Sequence, residues 1–526
     1  MNRRRIIIIA SVCAVVVLAG IIWWGYKQLS LHEEKADIDL YTLVPAESQA
    51  VLETQDIQAL LKSIRYANFN REYESLHISE LLDYLSDGLE SISSQQAHGL
   101  SGEMSQLLVS FHAPGMAQDQ VIYGRLNDNE KNFIQGLLTQ QAETAKLPSP
   151  KTFIYKGEEI LIYPIGKTFM ACYFVPGCFA ISLQEKLIEK VIDAYKEGSS
   201  ISHDKGFQPL RQQRKHHDPL TLYFYKEKEP MKGWTEFDIR MNAESIYLTS
   251  GHTVQDTCSI FGSNLYTQHP VVQLSDTELP GNLQMLYQLP FTPQAKKEKG
   301  TSITGSLPDN SLESMLEDYA CHEIDILVFS PQEKQDICHQ LLMVPLTESA
   351  ADAIRKSLRY NESAVRKPGL WMQGIHYPIW LYNGKGSLHN YFNDEPEGNA
   401  YFLTFHKNKM LVATDTEALK EYLTEVNTHE KKKVIDNRIL YEYCMNDLAE
   451  QANFTLIADM NGIMDRTGDN QQIVTQLLPE FFFKHKDFFK NFMFSTQYIY
   501  TNGQISTNLI LTYQGDSVLW KKMEEN

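Results

Sequence analysis

The sequence has few of the residues that define several protein classes. Its 526 residues include 28 glycines and 20 prolines, too few for a collagen-like or low-complexity chain. Seven cysteines are too few for disulfides to stabilise a chain of this length, as they do in a small secreted module. Basic residues number 48 against 66 acidic ones, which gives a net charge of −18. We therefore expect no nucleic-acid partner, because phosphate binding needs a clustered positive excess.

Motifs that carry chemistry are missing as well. The sequence contains no GxSxG elbow, no Walker or dinucleotide glycine pattern, and no HExxH or CxxC pair. The closest metal candidates, Cys321-His322-Glu323 and Cys338-His339, lack the spacing that sets two ligands around one ion. We predict no catalytic residue, no metal and no cofactor. The sequence favours a non-enzymatic protein, and an envelope hydrolase with a loop-built site stays an alternative.

An uncharged run of 21 residues, Ile6–Tyr26, is the strongest local signal. As a helix it would be about 31 Å long, close to the thickness of a bilayer core. Basic residues precede the run and interfacial aromatic residues end it: Arg3, Arg4 and Arg5, then Trp23, Trp24 and Tyr26. The pattern predicts an uncleaved anchor in a bacterial inner membrane, with the N-terminus in the cytoplasm and the body in the periplasm. A cleaved signal peptide is disfavoured because the run is too long and bulky.

The charge is divided by the predicted anchor. Without the three arginines the chain has 45 basic and 66 acidic residues, a charge of −21 on the periplasmic side. Such a body would be repelled by anionic lipid headgroups and would stand off the bilayer.

The chain repeats itself at offsets near 230 residues. Residues 173–187 and 404–418 both read as strand, two-residue turn, strand and helix. Residues 155–161 and 372–377 form a second similar pair. The predicted organisation is a cytoplasmic stub at 1–5, a membrane helix at 6–26, a juxtamembrane linker at 27–37, a first unit at 38–265, a linker at 266–275, a second unit at 276–516 and a C-terminal tail at 517–526.

Alternating apolar and polar residues predict half-buried antiparallel strands at Glu158–Ile165, 400–405 and Gln504–Tyr513. Helical spacing predicts helices at 187–195 and 348–358. The expected fold is therefore α+β: an N-terminal transmembrane helix followed by two related units of antiparallel sheet with helices packed on one face.

A family resemblance rests on the single apolar segment, the Leu43-Val44-Pro45-Ala46-Glu47-Ser48 start of the first unit, and the repeated strand–turn–strand–helix pattern. Together these features resemble bacterial single-pass envelope proteins that carry a duplicated domain of unknown function. The resemblance implies an inner-membrane protein facing the periplasm, and it lends no active-site residue.

The aromatic run at 479–500 is the most unusual stretch, with seven phenylalanines between positions 481 and 494. Four of them can share one face of a helix: Phe481, Phe488, Phe489 and Phe492. If exposed, they would offer a hydrophobic contact surface for a partner or lipid. The pattern favours the competing interpretation, in which these rings pack beneath the last hairpin.

Cysteine pairing is constrained only in part by the sequence. A turn at Pro176-Gly177 would place Cys178 opposite Val175 and Cys172 opposite Ile181, so these two thiols would not form a disulfide. Whether the other cysteines beyond the apolar run pair stays open.

The hypothesis that combines these observations is a membrane-anchored, non-enzymatic periplasmic protein. Its duplicated body would bind a protein partner of the cell envelope by strand addition or in a groove. Besides the hydrolase, a carrier for an apolar ligand stays an alternative.

Overall fold

The computed structural model places a defined subset of the chain. It describes residues 38–55, 63, 66–67, 106–113, 119–125, 149–165, 168–213, 220–226, 233–253, 259–260, 263–264, 270–272, 279–290, 312, 315–316, 323–330, 338–383, 391–392, 400–427, 437–464, 486–501 and 504–514. The described residues divide into two compact units. Unit 1 extends to Leu248 and unit 2 begins at Thr249.

Antiparallel strands dominate the described part of the chain, with 54% of its residues in strands and 25% in helices. The prediction of an α+β fold, with helices layered on one face of each sheet, is therefore wrong. Local sequence patterns gave helices and strands similar weight, whereas the hairpins pair edge to edge into continuous sheets. No helix in the described part is long and apolar enough to cross a bilayer. The predicted span at 6–26 lies outside the described residues.

Ten of the described strands begin in unit 1, and the last of them continues past its boundary at Leu248. They are β1 Ala50–Thr54, β2 Leu107–Phe111, β3 Gln120–Arg125, β4 Lys151–Tyr155, β5 Glu158–Ile165, β6 Thr168–Val175, β7 Cys178–Ser182, β8 Leu220–Lys226, β9 Gly233–Met241 and β10 Ser245–Thr253. Their antiparallel pairing gives the order β4-β5-β6-β7-β3-β2-β1-β8-β9, with β10 next to β9.

Unit 2 contains the remaining described strands. They are β11 Ser259–Ile260, β12 Ser263–Asn264, β13 Val271–Val272, β14 Leu283–Pro290, β15 Glu323–Phe329, β16 His339–Pro345, β17 Ala364–Met372, β18 Ile375–Asn383, β19 Ala400–His406, β20 Lys409–Ala413, β21 Gln451–Ala452, β22 Phe454–Asp459, β23 Phe492–Thr501 and β24 Gln504–Tyr513. The ten long strands follow the order β17-β18-β19-β20-β16-β15-β14-β22-β23-β24.

The two orders are the same strand for strand. The edge hairpin β4–β5 of unit 1 corresponds to β17–β18 of unit 2, and β1 corresponds to β14. Strand β7 of unit 1 and its counterpart β20 of unit 2 each lead directly into a helix. Equivalent positions in the two hairpins can therefore be compared residue by residue.

Seven α-helices lie within the described residues. They are α1 Glu185–Glu197, α2 Phe207–Gln213, α3 Glu348–Tyr360, α4 Thr416–Asn427, α5 Asn437–Asn446, α6 Met460–Met464 and α7 Lys486–Phe489. The helical predictions at 187–195 and 348–358 are confirmed by α1 and α3, and the strand predicted at Gln504–Tyr513 by β24.

The core of unit 1 lies between its sheet and α1. One face of α1 is buried against β5, β6 and β7, with Leu187, Ile188, Val191 and Ile192 pointing inward. The helix ends at Gly198, whose φ of +69° is the left-handed conformation that glycine adopts at least cost. This packing fixes the charged, outward face of α1 beside the β4–β5 hairpin.

Candidate binding surfaces

Two equivalent hairpins carry exposed apolar side chains. Both hairpins close through two-residue turns whose residues have positive φ, Lys156-Gly157 in unit 1 and Gln373-Gly374 in unit 2. Such type I′ turns match the twist of the strands they join. The register makes Ile154 and Trp371 equivalent, because each lies two residues before its turn, and their exposed fractions are 65% and 71%. Large apolar side chains this exposed are candidates for contact with another molecule.

The outer strand of the unit 1 hairpin, β4, lies at the edge of the sheet. We call this strand the open edge. Four of its five side chains are exposed, and among the described strands it pairs only with β5. Tyr155 and Glu158 close the turn and so exchange backbone hydrogen bonds. The alternation of antiparallel pairing then points the N–H and C=O groups of Thr152 and Ile154 away from β5. The open edge thus offers four backbone groups in the geometry of a further strand.

Ion pairs fix the turn of this hairpin to α1. The Lys156 ammonium lies 2.7 Å from Asp193 and 2.5 Å from Glu197, and Lys196 lies 2.7 Å from Glu158. Hydrogen bonds to Asp193 and Glu197 raise the pKa of Lys156 above its usual value, which favours the charged ammonium. The pairs are exposed, so each adds little stability. Their effect is to hold the turn, and with it β4, in one position.

The unit 2 hairpin is built differently along its outer strand. Pro368 lacks a backbone N–H, and the pairing register of β17 shifts between Lys367 and Leu370, which marks a bulge. A side chain at Gly369 would collide with the His376 ring, so glycine is needed there. Proline, lysine and a bulge are the features by which edge strands resist pairing with another chain. Strand addition along β17 is therefore disfavoured.

The two hairpins also differ in charge. Residues 151–165 of unit 1 contain two lysines and two glutamates, and are neutral. Residues 353–383 of unit 2 contain five arginines and lysines against one glutamate, a charge of +4 in a chain whose total is −18. The members of this basic set are Arg355, Lys356, Arg359, Arg366 and Lys367. We call β17–β18 with the end of α3 the basic hairpin.

A buried polar cluster in unit 1 is the nearest approach to a catalytic arrangement. Ser110 Oγ lies 2.7 Å from His112 Nε2 and 2.9 Å from the Tyr123 hydroxyl. Burial and the positive charge of Lys190 together lower the pKa of His112 to about 4, with Asp119 opposing part of the shift. A serine beside a neutral imidazole could act as a nucleophile and base. All three side chains of the cluster are buried, however, so Ser110 does not face solvent.

The described cysteines are thiols. Cys172, Cys178 and Cys444 are buried, and Cys338 is half-buried. The predicted register is confirmed, with Val175 opposite Cys178 and Cys172 opposite Ile181. Burial raises the pKa of Cys178 to about 11 and that of Cys444 to about 12, so neither is a reactive thiolate. In the described part, no three His, Cys, Asp or Glu side chains converge as metal ligands.

The predicted aromatic surface is only partly within the described chain. Phe489 ends α7 and Phe492 begins β23, so these two rings do not share a helix face. Both are buried, with ring centroids 6.4 Å apart, and Phe492 packs on Tyr513 at 5.5 Å. The side chains of Phe481 and Phe488 lie outside the described part. The same is true of the predicted anchor residues, Arg3, Arg4, Arg5, Trp23, Trp24 and Tyr26.

Sequence reasoning paired the two hairpins but missed their exposed residues. Residues 155–161 and 372–377 stood out as similar segments, each with a glycine turn. Alternation along a strand does not show whether that strand lies inside a sheet or at its edge, so Ile154 and Trp371 gave no signal of exposure. The concentration of basic residues around Trp371 is the one sequence signal that could have drawn attention to the basic hairpin.

Comparison with known proteins gives little to add. No family model matches the chain, and no curated protein matches it. Among solved structures, crystal form III of TP0453 aligns with 45% of this chain and 91% of its own, at 12% identity and a TM-score of 0.25. Crystal form I of TP0453 aligns with 46% of this chain and 90% of its own, at 12% identity and a TM-score of 0.24. Likeness at this level identifies neither a shared fold nor a shared activity.

Proposed function

We propose that this chain is a non-enzymatic protein of the bacterial envelope that binds an extended segment of a partner protein. The segment adds to the open edge of unit 1 as a further antiparallel strand. The observation that carries the proposal is β4 itself, a regular strand with outward-pointing backbone groups and without the proline and bulge of its counterpart β17.

The geometry of the open edge suits recognition by strand addition. The backbone groups of Thr152 and Ile154 would supply up to four hydrogen bonds, each adding a net of about 1 kcal/mol. Side chains alternate along β4, so Phe153 and Ile154 present apolar surface on opposite faces of the sheet. The ion pairs of Lys156 hold the template in place before the partner arrives, which lowers the entropy cost of binding.

Two further observations support the envelope setting and the absence of catalysis. The arginines before Ile6–Tyr26 and the resemblance to bacterial envelope proteins favour an inner-membrane location with the body in the periplasm. The serine–histidine pair that most resembles catalytic machinery is buried. Protease added to spheroplasts should digest the body of the protein; digestion that requires cell lysis would contradict this location.

Site-specific photocrosslinking in intact cells tests the strand addition. A photoreactive residue at Ile154 should give a discrete adduct with a second protein. The substitution Thr152→Pro removes an outward N–H while leaving the pairing with β5, and should weaken the adduct at least about fivefold. The matched control Thr152→Val keeps the N–H and should leave the adduct unchanged.

The proposal fails on either of two results. The absence of a protein adduct at Ile154 in cells that make the protein would refute binding at this edge. An adduct equally strong in Thr152→Pro and Thr152→Val would show that contact does not use the backbone of β4. Unchanged thermal unfolding of both variants excludes a loss of fold as the reason for a weaker adduct.

A further inference from the structure

The basic hairpin carries exposed aromatic and apolar side chains among its cations. Trp371 is 71% exposed and Tyr360, at the end of α3, is 81% exposed. Ile375 and Val365 are about half exposed, at 51% and 47%. Tryptophan and tyrosine combine an apolar ring with a polar atom, and they concentrate where a hydrocarbon phase meets water.

Four cations of the basic hairpin are available to an outside anion. Arg355 lies 2.7 Å from Asp352 and stacks on the Phe405 ring, so its positive charge is compensated within the protein. Within the described residues the other four make no ion pair: Lys356, Arg359, Arg366 and Lys367. In unit 1 the corresponding turn is instead neutralised by carboxylates of α1. Among the described residues, the unit 1 hairpin leaves one cation, Lys151, outside an ion pair, whereas the basic hairpin leaves four.

The tip of the basic hairpin is apolar on both faces. Trp371 pairs with His376, and Ile375 pairs with Met372 in the neighbouring position, so the Trp371 and Ile375 side chains leave the ribbon in opposite directions. A groove in a partner protein would contact one face of the hairpin. A lipid surface, into which the turn inserts, would contact both faces at once. Pro368 and the bulge also hinder a peptide from adding along β17. These features favour a fluid anionic surface over an acidic peptide.

We propose that the basic hairpin binds the surface of a bilayer containing anionic phospholipid, with Trp371 and Ile375 in the interface and the four cations at the headgroups. The predicted periplasmic body, with a charge of −21, is expected to be repelled by anionic headgroups as a whole, and the basic hairpin is a local exception to that repulsion. At physiological ionic strength the interaction between two charges is screened over about 8 Å. Headgroups beside the basic hairpin therefore interact mainly with its own cations and little with the distant acidic residues. The surface lies in unit 2 and the proposal is independent of strand addition at β4.

Photocrosslinking in reconstituted vesicles tests the proposal with the full chain. A photoreactive residue replaces Trp371, or Ile154 as the matched control, since the two positions are equivalent and similarly exposed. The vesicles contain phosphatidylcholine alone or phosphatidylcholine with phosphatidylglycerol. We expect lipid adducts at position 371 in the anionic vesicles, about tenfold above those at position 154, where Glu158 and Glu159 adjoin the probe.

Charge variants complete the test. The double substitution Arg366→Gln and Lys367→Gln should lower the lipid adduct at position 371 about tenfold, as should neutral vesicles. Equal lipid adducts at positions 371 and 154 would overturn the proposal, as would an adduct at 371 that ignores lipid charge. In intact cells, an adduct at 371 formed only with protein would overturn it too and would favour an acidic protein partner. Unchanged thermal unfolding shows that the charge variants are folded.

Discussion

Acid should loosen unit 1 through a single buried imidazole. The His112 ring is 2% exposed, its Nε2 atom contacts Ser110, and its Nδ1 atom has no hydrogen-bond partner among the described residues. Protonation would place a charge in this buried site and add a second N–H for which the described residues supply no acceptor. The folded state therefore prefers the neutral ring, and the unfolded state binds the proton more readily.

The size of the effect follows from the two pKa values of His112. Burial lowers the pKa from 6.5 in the unfolded chain to about 4 in the fold. At about 1.4 kcal/mol for each pKa unit, the difference amounts to about 3 kcal/mol. This stability is fully present above pH 6.5 and is lost as the pH falls towards 4, because in that window only the unfolded state is protonated.

Hydrogen exchange measured by mass spectrometry can isolate this contribution within the full chain. Peptides covering β2 and β3 report the opening free energy around His112, after correction for the pH dependence of intrinsic exchange. From pH 6.5 to about 4 the wild-type opening free energy should fall by about 3 kcal/mol more than that of His112→Gln, whose amide does not titrate. The glutamine amide can still bond to Ser110, so the two proteins start from similar structures.

The difference between wild type and His112→Gln isolates the contribution of the His112 ring. Other carboxylates also titrate in this range and lower both curves alike. Equal losses in wild type and His112→Gln would refute the reasoning, because they would mean that the buried ring does not resist protonation. A loss confined to peptides outside β2 and β3 would do the same.

Three substitutions should lower stability by distinct routes, each measured by local hydrogen exchange. Gly124→Ala places a methyl group against the buried Phe179 ring and should cost about 1–3 kcal/mol; a cost near zero would show that the ring moves freely. Tyr41→Phe removes the 2.8 Å hydrogen bond to the buried Glu53 carboxylate and keeps the ring, so its expected cost of about 1–3 kcal/mol reports the hydrogen bond. Tyr41→Leu would remove the ring as well and would mix the two effects. Thr347→Ala removes the side-chain cap of α3 and should cost about 1 kcal/mol, with Thr347→Ser close to wild type.

Local elements were largely readable from the sequence. The strand at Glu158–Ile165 was predicted with its observed bounds, because alternation and a glycine turn determine a hairpin within a few residues. The register at Cys178 followed from a second two-residue turn, Pro176-Gly177. The sheet order was not readable, since β3 pairs with β7 and β1 with β8 across long stretches of chain. Fold class depends on those distant pairings, and there the prediction was wrong.

The candidate surfaces were harder to predict than the elements that carry them. The phenylalanine run fits a helical period at 488–492, yet Phe492 begins β23, because a dense aromatic run satisfies both the helical and the strand pattern. Exposure at Trp371 depends on β17 lying at an edge, which is a property of the assembled sheet.

The repeated strand order has a consequence for how such a protein can change over time. Two copies of one fold supply two copies of the same protruding turn, so a substitution at one turn leaves the other intact. Ile154 and Trp371 occupy the same place in their hairpins, yet the first lies beside glutamates and the second beside arginine and lysine. A chain with a single copy would have to serve both kinds of contact with one surface. Here the two hairpins can be optimised separately, and each can be lost by mutation without abolishing the other.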